Sequence, residues 1–260
     1  MLVLYVLGRH PAHGYNYSAA LQEEAALWND VVALPMNEGR VTTNKTIIGR
    51  GNWGSEAEIG MSRKVYMWLH LALRTFPTAS YLAKGDDDMF LRVPLYVAFL
   101  RLLPRRDIYM GYHVGVGFVW GKIRLPGVNF MVGWCYTMSR GVAEALVSYE
   151  PLRRLVYLPY TKEREEEFAS LRLQHEDIMV AWVLVNEVKY TPLIHVKVLG
   201  CHFHDSRNGT GHSQVVSTSM CVHHVQEDDY AALMARFGHD TSPPARIRRA
   251  SGDTIYPLCD

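Results

Sequence analysis

Net charge is nearly absent from this chain: 27 Lys and Arg face 26 Asp and Glu over 260 residues, leaving +1. No global field therefore draws it to nucleic acid or an anionic membrane, and any such binding would be local. The basic pairs Arg105-Arg106, Arg153-Arg154 and Arg248-Arg249 are scattered and read as solvated surface. Cysteine is sparse. Cys135, Cys201, Cys221 and Cys259 show no C-x-x-C spacing, which argues against a zinc site and allows one or two disulfides without requiring them. The G-x-G-x-x-G and G-x-x-x-x-G-K-[ST] patterns are missing, which weighs against dinucleotide-dependent redox chemistry and P-loop NTPases. Apolar runs are broken by residues such as Arg92 and Arg101, well short of the roughly 18 residues of a membrane-crossing helix. The opening 1–7 has no basic start and no cleavage site, so it reads as a first buried strand. On this reading the protein is either soluble and cytosolic or preceded by a targeting segment outside this sequence. There is no internal repeat. With 48% hydrophobic and 20% charged residues, the chain is an ordinary globular protein of one expected domain.

What the chain does have is a dense acidic run, Lys84-Gly85-Asp86-Asp87-Asp88-Met89-Phe90, at the end of the apolar stretch 79–83. Each pair of neighbouring carboxylates about 5 Å apart costs about 3 kcal/mol at an effective dielectric near 20, so a positive group should offset them. In an extended backbone Asp86 and Asp88 share a face and Asp87 points elsewhere. Oxygen ligands in that D-x-D arrangement suit Mg²⁺ or Mn²⁺, ions that keep positions open for nucleotide phosphates. A solvated acidic turn is the alternative. The strand before the run and Met89-Phe90 after it argue against a loose surface loop.

Strand-length apolar runs alternate with helical periods, the pattern of an α/β fold. Helices are expected over 17–28, 62–76, 94–103, 139–149, from His175 to about Val185, and over 228–237. Strands are expected over 30–34, 79–83, 108–112, 188–198 and 215–225. Pro77 and Gly238 mark helix ends, and Ser139 is a candidate cap. The glycine- and aromatic-rich 111–133 suggests shaped loops around a site. Ser242-Pro243-Pro244 and the basic end suggest poor order beyond 238. Sequons at Asn16, Asn44 and Asn208 matter only in the secretory pathway.

In chain order, several motifs resemble the inverting β-1,3-glycosyltransferase family, the galactosyl- and N-acetylglucosaminyltransferases. Glu24, Trp28 and Asp30-Val31-Val32 look like its E-x-x-x-aromatic-x-D-hydrophobic element, and Thr43-Asn44-Lys45-Thr46 like its T-x-K-T. Trp68 falls where the family has a tryptophan before the metal strand. The stretch 81–90 is similar to K-x-D-D-D-x-F, Gly133 to Ser139 to G-x-(G/A/C)-Y-x-x-S, and Glu176-Asp177-Ile178 to E-D-V. Within the family the chain is most like the phosphoglycan β-1,3-galactosyltransferase-like proteins of kinetoplastid parasites. It departs at Ala181, where the family has glycine, and at Asn129-Phe130, where it has proline-tyrosine, so the acceptor pocket is expected to differ.

The resemblance implies an α/β, GT-A type nucleotide-sugar-binding fold: a single domain, its central mixed sheet flanked by helices, with the catalytic part over 1–238 and a flexible tail over 239–260. It implies a metal-dependent hexosyltransferase moving galactose or N-acetylglucosamine from a UDP-sugar to a glycan hydroxyl in β-1,3 linkage, with Mn²⁺ or Mg²⁺ as cofactor. Asp88 is the first-choice metal ligand by family position. Asp86 would contact the ribose or the metal shell, and Asp87 is equally a cap. His223 is the family-position candidate for a further ligand, with His224 and His204 as substitutes; imidazole favours Mn²⁺ over Mg²⁺. Asp177 fits the base that takes the acceptor proton, or else a first-turn helix acid. Lys45 is expected near the donor phosphates, so a glycan on Asn44 is not expected. Trp134 and Tyr136 would stack on sugar or fill core. Partners would be the UDP-sugar and a glycan acceptor, with no nucleic acid. The full-length protein would be a type II Golgi membrane protein with this part lumenal, its anchor outside this sequence. The competing expectations are an inactive carbohydrate-binding protein of the same fold and a metal-dependent phosphohydrolase.

Overall fold

Val65, Tyr66, Leu69, Ala72 and Leu73 recur at helical spacing and form the buried stripe of the longest helix. The computed structural model describes residues 1–46, 51–120, 123–207, 214–239, 243–250 and 252–259; the Asn208 sequon lies outside them. In chain order the elements are β1 (Tyr5–Arg9), α1 (Ala19–Trp28), β2 (Val31–Asn37), α2 (Ser55–Thr75), β3 (Tyr81–Gly85), β4 (Met89–Leu91), α3 (Val93–Leu102), β5 (Ile108–Trp120) and β6 (Ile123–Ser139). There follow α4 (Arg140–Ser148), α5 (Glu150–Tyr157), α6 (Glu165–Ser170), α7 (Glu176–Trp182), β7 (Ile194–Val198), β8 (Phe203–Asp205), β9 (Cys221–His223), α8 (Glu227–Phe237), β10 (Ile247–Arg249) and β11 (Thr254–Pro257). The α/β class expected from the alternation is what forms. Two compact units can be distinguished, Met1–Ala79 with Ala143–Lys189 and Ser80–Val142 with Tyr190–Asp260. Each draws on two separate stretches of chain, so neither is a contiguous sequence domain.

In the first unit β1 and β2 pair in parallel, Tyr5 beside Val31. The buried stripe of α2 packs against α5 and α7, which contribute Leu152, Leu155 and Val156, and Met179 and Val180. Two hydroxyls pin this packing: Tyr66 donates to the Val147 carbonyl and Ser62 to that of Leu173, both at 2.7 Å.

In the second unit six strands form a mixed sheet in the order β10-β11-β7-β5-β6-β3. The β7 strand is parallel to β5 and β11, and the other pairs are antiparallel. Leu95, Tyr96 and Phe99 of α3 pack with Ile108, Met110, Val196, Val198 and Ile255 of the sheet. Phe99 is 2% exposed, so Phe99→Ala should cost about 3–5 kcal/mol, measured as a lower urea midpoint. A smaller sheet, β4-β9-β8, is covered by α8 through Phe90, Val222, Leu233 and Phe237.

Three expectations are corrected. The described residues of the 111–133 stretch form the long β5/β6 pairing, not a set of loops. Glycine serves close approach there, because a Cβ on Gly111 would lie 2.7 Å from that of Met131. Within the described residues 243–250 and 252–259 the chain is not a loose tail: β10 and β11 extend the sheet, Ile255 is buried, and Cys259 is joined to Cys201. Ser139 both ends β6 and directly precedes α4, the place expected of a cap, and its Oγ accepts from the Ile108 N–H at 3.1 Å. The strands expected over 188–198 and 215–225 shrink to β7 and β9. Because the disulfide closes a long loop, its cysteines 58 positions apart in the chain, Cys259→Ser should cost about 4 kcal/mol by the loop-entropy relation, measured by denaturant unfolding.

Candidate metal centre

The acidic run sits in the turn between β3 and β4, not in extended chain. Lys84 Nζ fixes its start, donating to Asp86 Oδ1 at 2.5 Å and to the Gly133 carbonyl at 2.6 Å. The Asp86 N–H donates to the Trp134 carbonyl at 3.0 Å, and the Asp88 carbonyl accepts from the Val225 N–H at 2.8 Å. Antiparallel pairing of β4 with β9 sets His223 opposite Met89, one residue from Asp88. The result is convergence. His223 Nε2 lies 3.4 Å from Asp86 Oδ2 and 3.2 Å from Asp88 Oδ1. Asp87 is exposed and the structure does not bring it into the cluster. The turn thus achieves what the extended run was expected to achieve, two carboxylates on one side and the middle one outside.

Aromatic rings hold the imidazole in place. Tyr112 stacks on Trp134 and Trp134 on His223, each pair with centroids 5.2 Å apart. Trp134 therefore supports the histidine, while Tyr136 is core, packed edge-on against Tyr109. Burial alone would lower the basicity of His223, but hydrogen bonds and charge from Asp86 and Asp88 outweigh it and push its pKa up to about 9. Burial likewise opposes ionisation of Asp86, yet Lys84 and His223 together hold its carboxyl well below the usual range. A proton on Nε2 is thus shared by two carboxylates, the place and charge a divalent cation would take over. The donor set fits one: two carboxylates and an imidazole suit Mn²⁺ better than Mg²⁺. Among the described residues His223 Nδ1 is buried without a hydrogen-bond partner, with Asp205 Oδ2 3.8 Å away.

Two features here were not legible in advance. Asp205, at the end of β8, is 2% exposed and stands behind the histidines; its signal in the sequence is only the run His202-Phe203-His204-Asp205. His204, a candidate substitute ligand, is instead fully buried with Nε2 2.6 Å from Ser219 Oγ. Burial, reinforced by His202, lowers its pKa to about 4. The unfolded chain, with histidine near 6.5, binds that proton more tightly. The His204 contribution is therefore complete above about pH 6.5 and falls away toward pH 4, a loss of about 3 kcal/mol. Urea unfolding at pH 7 and pH 4.5 should show the decline.

A second cluster, Cys201, His202 and Cys259, has ligand-like spacing. Its cysteines are joined, and the two His202 ring nitrogens lie 2.7 and 3.0 Å from the Thr218 and Leu258 carbonyls. It is a clamp on the C-terminal strand.

Asp177 and Lys45 belong to the first unit. Asp177 lies in the first turn of α7, its Oδ1 accepting from the Ile178 N–H at 2.8 Å. Lys45 Nζ rests over the Trp53 ring, 4.7 Å from its centroid, and Asn44 beside it is exposed. Among the described residues no helix is long and apolar enough to cross a membrane. No protein-family model matches the chain, and no curated protein matches it.

Proposed function

We propose that the chain is a metal-dependent inverting glycosyltransferase of GT-A type, moving galactose or N-acetylglucosamine from a UDP-sugar to a glycan hydroxyl in β-1,3 linkage. The observation that carries this reading is the meeting of Asp86, Asp88 and His223 at one point, on a turn braced by Lys84. Asp88 and His223 would hold Mn²⁺, and Asp86 would hold the inner side of the shell. Bound there, the cation supplies charge neutralisation for a departing diphosphate. The rest of the work falls to side chains. By the resemblance, Asp177 would accept the proton of the attacking hydroxyl and Lys45 would offer positive charge to the donor phosphates. In this reading the protein acts in the Golgi lumen.

UDP release from UDP-galactose and UDP-N-acetylglucosamine, measured with Mn²⁺ and a panel of glycan acceptors, tests the proposal. Release that needs both acceptor and metal is the expected result. Phosphate release without acceptor would identify a hydrolase, and carbohydrate binding without turnover would identify a lectin-like protein.

A further inference from the structure

His223 and His224 are consecutive, and consecutive side chains in extended chain point to opposite faces. These two do not. The backbone at His224 is left-handed, φ 56°, and its ring centroid lies 3.9 Å from that of His223. A non-glycine residue pays about 1 kcal/mol for that conformation, and Asp205 offsets it. The Asp205 carboxylate accepts from His224 Nδ1 at 2.9 and 3.0 Å, and the same group lies 3.8 Å from His223 Nδ1. Since a carboxylate can only accept, Nδ1 of His224 carries the hydrogen, and Nε2 of the neutral ring carries the free lone pair. A buried acid behind an imidazole is how proteins orient metal-bound histidine. Asp88, His223 and His224 each offer a ligand atom, all within 4.8 Å of one another.

We propose that His224, oriented by Asp205, is a further ligand of this centre, which thereby selects a nitrogen-accepting ion of the Mn²⁺, Co²⁺ or Zn²⁺ class over Mg²⁺ and Ca²⁺. This rests on the metal reading of the Asp88 and His223 pair and adds to it a ligand, a positioning carboxylate and a selectivity. Two imidazoles shift the donor set from hard oxygen toward nitrogen, where first-row transition ions bind more strongly than alkaline-earth ions. Asp205 touches no substrate; it acts through His224.

Pulsed electron paramagnetic resonance on the intact protein titrated with Mn²⁺ alone, without nucleotide, counts the coordinated ¹⁴N nuclei. Two imidazole nitrogens are expected in the unaltered protein and one in His224→Gln. Asp205→Asn should lower Mn²⁺ affinity by about 10–100-fold, and an approximately hundredfold excess of Mg²⁺ should leave the Mn²⁺ signal in place. One nitrogen in the unaltered protein would overturn the role of His224 while leaving the Asp88 and His223 site standing. Displacement by Mg²⁺ would overturn the selectivity. Absence of any bound Mn²⁺ would remove both this inference and the glycosyltransferase reading. Because the decisive count is made on the unaltered protein, misfolding of a variant does not blur it.

Discussion

Asp88→Asn is expected to abolish the Mn²⁺-dependent part of UDP affinity and to lower UDP-sugar turnover by about 10²–10³-fold. The substitution keeps the side-chain volume and removes the charge. The turn should survive it, because the Asp88 backbone carbonyl, not its side chain, accepts from the Val225 N–H. What is lost is one of the two carboxylates that meet His223 Nε2. Asp87→Asn is the control: Asp87 is exposed, and its neutralisation should leave both quantities nearly unchanged. Calorimetric titration of UDP with and without Mn²⁺, beside UDP-release rates, measures the pair. Equal loss in both variants would mean that summed negative charge matters and the D-x-D geometry does not.

Asp177→Asn is expected to lower kcat by about 10²–10⁴-fold and to leave Mn²⁺-dependent UDP affinity intact. Asparagine keeps an Oδ1 that can accept from the Ile178 N–H, as Asp177 does at 2.8 Å, so the start of α7 is retained. Loss of negative charge in a first helical turn costs only about 0.3–1 kcal/mol. A large fall in turnover with a small fall in stability therefore separates a base from a helix-start acid. If instead turnover is unchanged, Asp177 serves α7 alone.

The sequence reported most where one local rule decides the outcome. Helical spacing from Val65 to Leu73 gave α2, and Gly238 marked the end of α8. It reported least where distant pairing decides. Gly111 and its neighbours look like loop punctuation, yet they serve the close approach of β5 and β6. Residues near Ile255 look too basic and proline-rich for core, yet β11 pairs with β7 and Cys259 reaches Cys201. At the site the acidic run was legible because three adjacent carboxylates require compensation. Lys84 supplies part of that compensation from two residues away. Asp205 was not legible, because its partners depend on β8 lying parallel to β9, with Asp205 beside His223. The left-handed turn at His224 was invisible for a similar reason: nothing in Cys221-Val222-His223-His224 breaks the alternation of a strand.

Anomalous diffraction at the manganese absorption edge, from crystals of the unaltered protein soaked in Mn²⁺, tests the central claim most directly. The account predicts one strong peak bounded by the Asp88 carboxylate and His223 Nε2. A saturating soak that leaves this position without anomalous density would contradict it.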